Sequence, residues 1–466
     1  MKKILFVFFA CLITTVGFGQ DITGKWQGVL NVQGSHLRLL FTINKSDSGY
    51  VSTMTSMDQN AITVPVKSTS FANDTLQLNV SSINAKYKGQ VKNDSAIAGT
   101  YTQNGRSFEL NLLKGTSEPV AKKRPQEPTK PYPYYSEEVR FTNNKANISL
   151  AGTLTLPQKD GVFPVVVLIT GSGPQDRNEE LMRHKPFLVI SDYLTRNGVA
   201  VLRYDDRGFG ESQGNFQTAT TVDFATDVQA AVDYLKTRKE INKKKIGLIG
   251  HSEGGIVAPL VASKSKDVAF IVLLAGPGIP GDQLSLLQSG LLAKAVGASE
   301  ADIKEANTIN SKCFEIIKNA KDSAQLKRNL ADYLNVAMGE GKDTPQIKGV
   351  PVDDTVLALV DQLSSPWMQY FLKYDPAPAL QKVTCPVLAL NGSKDIQVPA
   401  KVDLEGISKA LAKGGNKNVT IKELPNLNHL FQECKTCTMD EYAIIEQTFS
   451  PLALAEVLNW IVIQTR

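Results

Sequence analysis

The chain has 466 residues, of which 42% are hydrophobic and 21% charged, a globular composition that excludes a mainly disordered or fibrous protein. Its 51 basic and 46 acidic side chains leave a formal net charge of +5, which gives no reason to expect a nucleic-acid or polyanion partner. This length predicts two or three domains.

The N-terminus has the features of a secretory signal peptide, assigned to residues 1–19. Two lysines precede the apolar run Ile4 to Val16, and small residues stand directly before Gln20. That run is shorter than the ~20 residues that a membrane-spanning helix needs. We therefore expect cleavage before Gln20, export to the periplasm or the medium, and no membrane span in the mature chain. A lipoprotein signal acylated at Cys11 is the weaker alternative.

Cleavage would leave four cysteines, Cys313, Cys385, Cys434 and Cys437. In an exported protein the close pair Cys434 and Cys437 is compatible with a disulfide bond. The pair also resembles half of a zinc site, but no second cysteine pair and no nearby His-x-His accompanies it. We therefore predict no metal site and leave the oxidation state of the pair open.

Residues 20–115 are predicted to form a small antiparallel all-β domain, either a barrel or a sandwich. Short alternating stretches, such as 75–80, 86–91 and 108–112, are separated by turn residues, as is typical of such domains. The only histidine here, His36, stands alone, so nothing in this part looks catalytic. Packing or weak ligand contact is its preferred role.

Residues 116–135 mark the domain boundary, because five prolines in this stretch predict an extended connector. From 136 to 466, strands that are apolar throughout alternate with helical patterns. This is typical of an α/β domain with a mostly parallel sheet covered by helices on both faces. Between about 282 and 374 the pattern is helical, which predicts a cap at the sheet edge where α/β folds bind ligands.

The strongest motif is Gly-His-Ser-Glu-Gly at 250–254, between a predicted strand and a predicted helix. This is the context of a nucleophile elbow, a turn so tight that the residues two positions on either side of the serine must be glycine. The hydroxyl of Ser252 then stands above the sheet at the positive end of the helix. We predict that Ser252 is a nucleophile; a glycine-rich helix start without chemistry is the alternative.

A serine nucleophile needs a base to take its proton. Of the four histidines, His251 is adjacent to the serine and diverges from it, His36 belongs to the β-domain, and His184 lies on a predicted helical stretch. This leaves His429, in a loop directly after the last predicted strand. Elimination therefore predicts His429 as the general base.

The imidazole in turn needs a carboxylate that holds its tautomer. Asp395 closes the turn after the strand that follows the helical insertion. Serine, aspartate and histidine then occur in the chain order expected of a hydrolase of this type. Asp403 is the rival, but it falls inside the next predicted helix.

A tetrahedral intermediate needs backbone N–H donors fixed in advance around its oxyanion. One should be the amide of Glu253, directly after the nucleophile. The other should come from the glycine turn after the third strand of the α/β domain, where Ser172 is favoured and Gly173 is the alternative. A plain glycine turn is the bland interpretation.

Over about 136–466 these residues resemble the α/β-hydrolase superfamily, and more narrowly the exported bacterial serine esterases with a β-rich N-terminal domain. The matching segments are Gly171–Arg177, Tyr204–Ser212, Gly250–Gly255 and Ser365–Pro376. The resemblance implies a capped α/β-hydrolase fold and carboxylesterase activity on short acyl esters, without metal or cofactor.

Three further features accompany these segments. Thr170 stands where many lipases and esterases have histidine, which should alter the hydrogen bonds of the oxyanion turn without removing its donors. The charged run 205–207 recurs after this strand throughout the fold, so we interpret it as a structural ion pair. The aromatic residues at 367, 370 and 371 are more often core than pocket lining at such helical spacing.

The leading hypothesis is therefore an exported serine hydrolase that takes a small-molecule ester substrate. One alternative is a peptidase resembling the prolyl oligopeptidase family, although those enzymes carry a much larger β-propeller. The other is a non-catalytic protein that binds a polysaccharide or an envelope component. The natural substrate and the oligomeric state stay open.

Overall fold

A computed structural model describes residues 21–32, 35–47, 49–57, 62–83, 85–103, 106–115, 124–338, 346–347, 350–351 and 354–466. These residues form two compact units, one from most of the chain before position 116 and one from position 124 onward. The predicted signal peptide and the first part of the predicted linker lie outside the described residues. No helix of the described chain is long and apolar enough to cross a bilayer.

The first unit is one sheet of ten strands in the order β4-β3-β2-β1-β10-β8-β7-β6-β5, with β9 paired to β8. The strands are β1 (Gly24–Val32), β2 (Ser35–Ser46), β3 (Gly49–Ser56), β4 (Ile62–Pro65), β5 (Ser68–Ala72), β6 (Thr75–Val80), β7 (Ala85–Asn93), β8 (Ala96–Gln103), β9 (Arg106–Glu109) and β10 (Leu112–Lys114). Buried and exposed residues alternate along β7, as the period-two pattern predicts. The predicted antiparallel all-β character is confirmed, in a single sheet of the described residues.

One predicted strand of this unit is divided in the structure. The sequence predicts a strand over 108–112, but Leu110 and Asn111 separate β9 from β10. The side-chain carbonyl of Asn111 accepts a hydrogen bond from the N–H of Gly99 at 3.2 Å, and so replaces a ladder bond. Before this break β9 pairs with the second half of β8. After it, β10 pairs with β1 on one side and with the start of β8 on the other.

The second unit contains an eight-stranded mixed sheet in the order β11-β12-β14-β13-β15-β16-β19-β20. Its pairs are antiparallel up to β14 and parallel from there on. A two-stranded pair, β17 and β18, lies outside this sheet. The strands are β11 (Tyr135–Asn143), β12 (Ile148–Leu156), β13 (Phe163–Ile169), β14 (Ala200–Tyr204), β15 (Ile241–His251), β16 (Phe270–Leu274), β17 (Gln346–Ile347), β18 (Val350–Pro351), β19 (Val387–Gly392) and β20 (Val419–Leu424).

Helices cover both faces of this sheet, as predicted from its apolar strands. Residues of α2, α3 and α10 pack in one core cluster, and residues of α1 and α12 in another on the opposite side. The helices are α1 (Pro186–Arg196), α2 (Thr221–Thr237), α3 (Gly254–Ala262), α4 (Gly281–Ala295), α5 (Glu300–Asn319), α6 (Ser323–Met338), α7 (Asp354–Leu363), α8 (Pro366–Lys373), α9 (Ala377–Leu380), α10 (Ala400–Lys413), α11 (Met439–Ile444) and α12 (Pro451–Thr465).

The chain between β16 and β19 contains α4 to α9, of which α4 to α8 lie close to the predicted bounds of 282 and 374; the short pair β17 and β18 also lies in this stretch, which the sequence predicts as helical throughout. The capping box predicted at the start of α5 is present, since the hydroxyl of Ser299 accepts a hydrogen bond from the N–H of Asp302 at 3.2 Å. The insertion has its own apolar cluster around Phe314 and Leu330. It is therefore built as a separate layer with its own core.

The predicted linker ends sooner than its proline content indicates. Arg124 donates hydrogen bonds to the main-chain carbonyls of Arg183 and Ala443, both at 3.2 Å. Gln126 donates to the carbonyl of Phe449 at 2.7 Å. The second part of the linker is thus bonded to the α/β unit, a contact that proline density does not predict.

Candidate active site

Ser252 lies between the end of β15 and the start of α3, in a backbone conformation that L-residues rarely adopt, with φ of 51°. A side chain at Gly250 would come within 2.0 Å of the carbonyl oxygen of Gly254, and one at Gly254 within 2.2 Å of the carbonyl oxygen of Ile169. Both positions therefore require glycine. A left-handed serine costs on the order of 1–3 kcal/mol, so this turn stores strain, as a nucleophile elbow does.

Asp395 and His429 form a hydrogen-bonded pair. Oδ2 of Asp395 lies 2.8 Å from Nδ1 of His429, and the two side chains are 0% and 7% exposed. The other carboxylate oxygen, Oδ1, accepts hydrogen bonds from the main-chain N–H groups of Gln397 and Val398 at 2.8 and 2.9 Å. These bonds fix the carboxylate in one orientation toward the imidazole.

The loop that carries His429 is held against the end of β19. A side chain at Gly392 would come within 2.2 Å of the carbonyl oxygen of Leu427, so only glycine permits this approach. Within the loop, the side-chain oxygen of Asn428 accepts a hydrogen bond from the N–H of Gln432 at 2.9 Å. The approach of the two loops brings a residue after β19 and a residue after β20 into one site.

The ring of His251 connects the serine elbow to His429. The His251 and His429 ring centroids are 4.9 Å apart, and Nε2 of His251 lies 3.0 Å from the carbonyl oxygen of His429. Among the described residues, neither the hydroxyl of Ser252 nor Nε2 of His429 has a hydrogen-bond partner. The structure therefore bonds Asp395 to His429, and the chain neighbour of Ser252, His251, contacts that pair.

The predicted oxyanion turn lies against the serine. A side chain at Gly171 would begin 3.2 Å from Cβ of Ser252. The N–H of Gly171 is already donated to Oε1 of Glu179 at 2.7 Å, so it is not available to a substrate. The N–H groups of Ser172 and Glu253 have no acceptor among the described residues, which leaves these two predicted donors open.

Thr170, which stands where many lipases and esterases have histidine, has a partner of its own. Its hydroxyl donates to Oδ1 of Asp206 at 2.8 Å, and Oδ2 of Asp206 accepts the N–H of Gln175 at 3.0 Å. Asp206 thus holds both ends of the oxyanion turn. Burial raises the pKa of Asp206 well above its ordinary value, despite these hydrogen bonds.

The other two residues of the charged run 205–207 form separate ion pairs. Asp205 binds Arg177 at 2.7 Å, and Arg207 binds Asp227 at 2.7 Å. The sequence predicts an ion pair that braces this loop, and the structure supplies these two and a third, longer one between Arg207 and Asp223 at 3.6 Å.

Sequence reasoning missed the side chain of Glu253. It is 3% exposed, and its Oε1 accepts hydrogen bonds from the hydroxyl of Thr221 at 2.6 Å and the indole N–H of Trp367 at 2.8 Å. Burial raises the pKa of this carboxyl. Trp367 belongs to α8, so one helix of the insertion is bonded to the residue beside the predicted nucleophile.

Sequence reasoning also missed the pair formed by Glu179 and His251. Nδ1 of His251 lies 2.9 Å from Oε1 of Glu179, and both side chains are buried. Burial alone would lower the pKa of His251, but the Glu179 carboxylate and its hydrogen bond outweigh this, so the pKa is raised. The one sequence signal for a role of His251 is that the chain has only four histidines. The search for a general base excludes His251, because its side chain diverges from that of the serine.

His184 differs from its prediction, because it lies in a short bridge before α1 and not on a helical stretch. Its ring is fully buried between the hydroxyl of Thr448 at 3.0 Å and the carbonyl oxygen of Tyr442 at 2.8 Å. Burial and the charge of Arg124 lower the pKa of His184 from 6.5 to about 4. This histidine takes no part in the site.

The question left open at Cys434 and Cys437 is answered by a disulfide bond between them. Cys313 and Cys385 are free thiols. Within the part of the chain that the structure describes, no three His, Cys, Asp or Glu side chains are grouped as metal ligands.

Several known proteins are similar to this chain. Esterase EstD from Thermotoga maritima is 30% identical over 304 residues, which cover 64% of this chain and 62% of that esterase, so the match spans less than two thirds of the relative. Among solved structures, Est1E from Butyrivibrio proteoclasticus bound to ferulic acid has a TM-score of 0.40 and 19% identity, covering 70% of this chain and 99% of its own. The Pyrococcus furiosus esterase Pf2001 has a TM-score of 0.40 and 18% identity, covering 65% and 89%.

The resemblance to the α/β-hydrolase superfamily is confirmed by the Thermotoga maritima esterase relative and by a family match. A family model described as X-Pro dipeptidyl-peptidase (S15 family) matches residues 147–403, more than half of the chain. The chain therefore belongs to the S15 family.

Proposed function

We propose that this protein is an exported serine hydrolase that cleaves carboxylic esters, with short acyl chains favoured. The observation that carries the proposal is the buried pair of Asp395 and His429, bonded at 2.8 Å, whose imidazole keeps Nε2 open and whose main chain contacts His251, the residue before the strained Ser252. An imidazole held by a carboxylate on one side and open on the other is suited to take a proton.

In the proposed reaction, the hydroxyl oxygen of Ser252 attacks the ester carbonyl while its proton passes to Nε2 of His429. Asp395 orients the ring and stabilises the imidazolium. The N–H groups of Ser172 and Glu253 donate to the oxyanion of the tetrahedral intermediate. The C–O bond of the ester then breaks, the imidazolium protonates the departing alcohol, and water releases the acyl group from Ser252 by the same route.

The helices α4 to α8 are proposed to act as a cap over this site. The bond from Trp367 of α8 to Glu253 supports the proposal, because Glu253 follows the nucleophile directly. Trp367 also stacks on Phe371, with ring centroids 5.2 Å apart. Aromatic side chains next to the nucleophile would restrict the room for long acyl chains.

A peptidase acting on X-Pro peptides is the second candidate, because the description of the family names that activity. Esters and amides pass through the same acyl-enzyme, so the proposed residues serve both reactions. An ester is preferred because the Thermotoga maritima relative is an esterase and because the motifs at 171–177, 204–212 and 250–255 resemble those of exported serine esterases.

A substrate series tests the proposal. The purified protein is assayed on nitrophenyl esters from acetate to palmitate and on X-Pro nitroanilides, with Ser252→Ala as the control. We expect kcat/KM to be highest on acetate or butyrate and to fall by roughly tenfold or more for long chains, with no turnover of the anilides. Faster cleavage of X-Pro anilides would favour the peptidase. No reaction with any ester, and no labelling of Ser252 by an organophosphonate, would favour a non-catalytic binding protein.

Export is tested separately by sequencing the N-terminus of the mature protein. The proposal expects it to begin at Gln20, and a chain that keeps Met1 after expression in its native compartment would contradict export. The disulfide between Cys434 and Cys437 supports an oxidising compartment.

A further inference from the structure

Each ring nitrogen of His251 lies within hydrogen-bond distance of an acceptor oxygen. Oε1 of Glu179 lies 2.9 Å from Nδ1, and the carbonyl oxygen of His429 lies 3.0 Å from Nε2. A neutral imidazole has one N–H and one bare nitrogen, so it satisfies only one of two acceptors. The geometry therefore fits an imidazolium that donates in both directions.

A protonated Glu179 that donates to a neutral ring is the other arrangement to consider. The same oxygen, Oε1, also accepts the N–H of Gly171 at 2.7 Å. An ionised carboxylate accepts two such bonds more strongly than a carboxylic acid does. The three groups are thus best satisfied by a carboxylate between two donors.

The charged surroundings of His251 favour the same state. Glu179 faces it from the loop after β13, and Asp395, on the loop after β19, adds a second negative charge. On the loop after β20, the ring of His429 lies 4.9 Å away and the ring of Phe431 6.4 Å away, measured between centroids. Both acidic groups stabilise the protonated ring, and these contacts keep the pKa of His251 raised despite complete burial.

The pair connects the two loops that the proposed reaction needs. On one side, Glu179 holds Gly171, the residue before the predicted oxyanion donor Ser172. On the other side, His251 holds the main chain of His429. A buried ion pair contributes little to stability when it replaces apolar packing, so its geometry is the more informative property.

We propose that His251 is a positioning residue, an imidazolium at neutral pH that, together with Glu179, fixes the oxyanion turn and the loop of the general base relative to the serine. The proposal rests on the proposed function, because it assigns the pair a role in that reaction. His251 exchanges no proton with the substrate, since both of its ring N–H groups already donate hydrogen bonds to acceptors of the protein.

The protonation state is tested on the wild-type protein, without any assay of activity. Nitrogen-15 NMR of the histidine rings at neutral pH, assigned with His251→Gln and His184→Gln, should show two protonated nitrogens on His251. His184 should show one, because its partners are a hydroxyl and a carbonyl. A single protonated nitrogen on His251 at neutral pH would overturn the proposal.

The positioning role is tested by kinetics on a nitrophenyl ester. Glu179→Gln keeps the acceptor oxygen and removes the charge, so we expect kcat to fall about 10–100-fold with KM nearly unchanged, as a small misplacement of reacting groups does. In wild type, kcat/KM should fall at alkaline pH as His251 loses its proton, and His251→Gln should lack this alkaline limb.

The matched control is His184→Gln, at a buried histidine without a carboxylate partner, which should keep the wild-type kcat and pH profile. If Glu179→Gln also keeps both, the positioning role is wrong while the proposed function stands. A wild-type protein without ester turnover and without phosphonate labelling would overturn the proposed function, and the positioning role with it.

Discussion

Two buried imidazole–carboxylate pairs lie side by side in this protein, and they differ at one nitrogen. His429 is bonded to Asp395 through Nδ1, while its Nε2 has no partner among the described residues. His251 is bonded to Glu179 through Nδ1 and to a main-chain carbonyl through Nε2. The same two chemical groups therefore occur once with a ring nitrogen that has no hydrogen-bond partner and once with both ring nitrogens bonded.

This difference separates a ring that can transfer a proton from a ring that can only hold its neighbours. A base must have a bare nitrogen directed at the proton it takes. A ring whose two nitrogens both donate has none, and its contribution is to fix the groups that accept from it. The comparison predicts that damage to the two pairs differs in size and in pH dependence.

The largest effect is expected from Asp395→Asn. The main-chain N–H groups of Gln397 and Val398 both bind Oδ1, so they should keep the amide oxygen on their side and turn the NH₂ group toward Nδ1 of His429. The ring must then carry its proton on Nε2, the nitrogen that should accept from Ser252. We expect kcat to fall ~10⁴-fold on a nitrophenyl ester, with the fold unchanged.

Glu179→Gln provides the comparison variant, because it makes the same chemical change in the neighbouring pair and should cost far less. Circular dichroism and urea unfolding of both variants control for folding. Equal losses in the two variants would contradict the distinction between a proton-transferring pair and a holding pair.

The pH dependence of stability distinguishes His251 from His184, which also has two partners but no carboxylate. Folding lowers the pKa of His184 from 6.5 to about 4. Between these pH values the unfolded chain binds a proton at this histidine and the folded chain does not, so the free energy of unfolding decreases as the pH falls across this range. The pKa of His251 is raised, so its contribution is fully present below its unfolded value and is lost as the pH rises through its folded value.

Urea unfolding at a series of pH values measures this contrast. Relative to wild type, His184→Gln should remove an acid-side loss of about 3 kcal/mol, whereas His251→Gln should remove an alkaline-side loss. An acid-side change in both variants would show that His251 is neutral in the folded protein.

The sequence predicts much of the fold, because strands buried on both faces are apolar throughout. The predicted strand at 419–424 coincides with β20, and the helical insertion is found close to its predicted bounds. The second part of the linker was not predicted, since proline content indicates an extended backbone but not the surface it contacts. Arg124 donates a hydrogen bond to the carbonyl of Ala443, which lies 319 positions further along the chain, and no local sequence pattern predicts such a contact.

The candidate site shows the same limit. The elbow was identified because its glycines are required by local backbone geometry, and Asp395 and His429 because each directly follows a strand of the sheet. The pair of Glu179 and His251 joins residues 72 positions apart, and their contact depends on the path of a loop without a periodic pattern. Such a pair becomes visible only when the loop is placed.

The smallest expected effect concerns the strain at Ser252 itself. With φ of 51°, the serine bears a cost on the order of 1–3 kcal/mol that glycine avoids, while glycine loses ~0.5–1 kcal/mol through its more flexible unfolded chain. Its hydroxyl has no partner among the described residues, so removing it sacrifices no hydrogen bond. Ser252→Gly should therefore be about 1 kcal/mol more stable than wild type in urea, and inactive.

Ser252→Ala is the matched control, because it removes the same hydroxyl but keeps Cβ and the strain, so its stability should equal that of wild type. If the glycine variant is more stable than wild type and the alanine variant is not, the backbone at Ser252 is strained. The serine elbow then differs from the pair of Glu179 and His251, whose hydrogen bonds are all satisfied. A glycine variant that is less stable than the alanine variant would mean that the elbow is relaxed, and that the strain has no part in exposing the nucleophile.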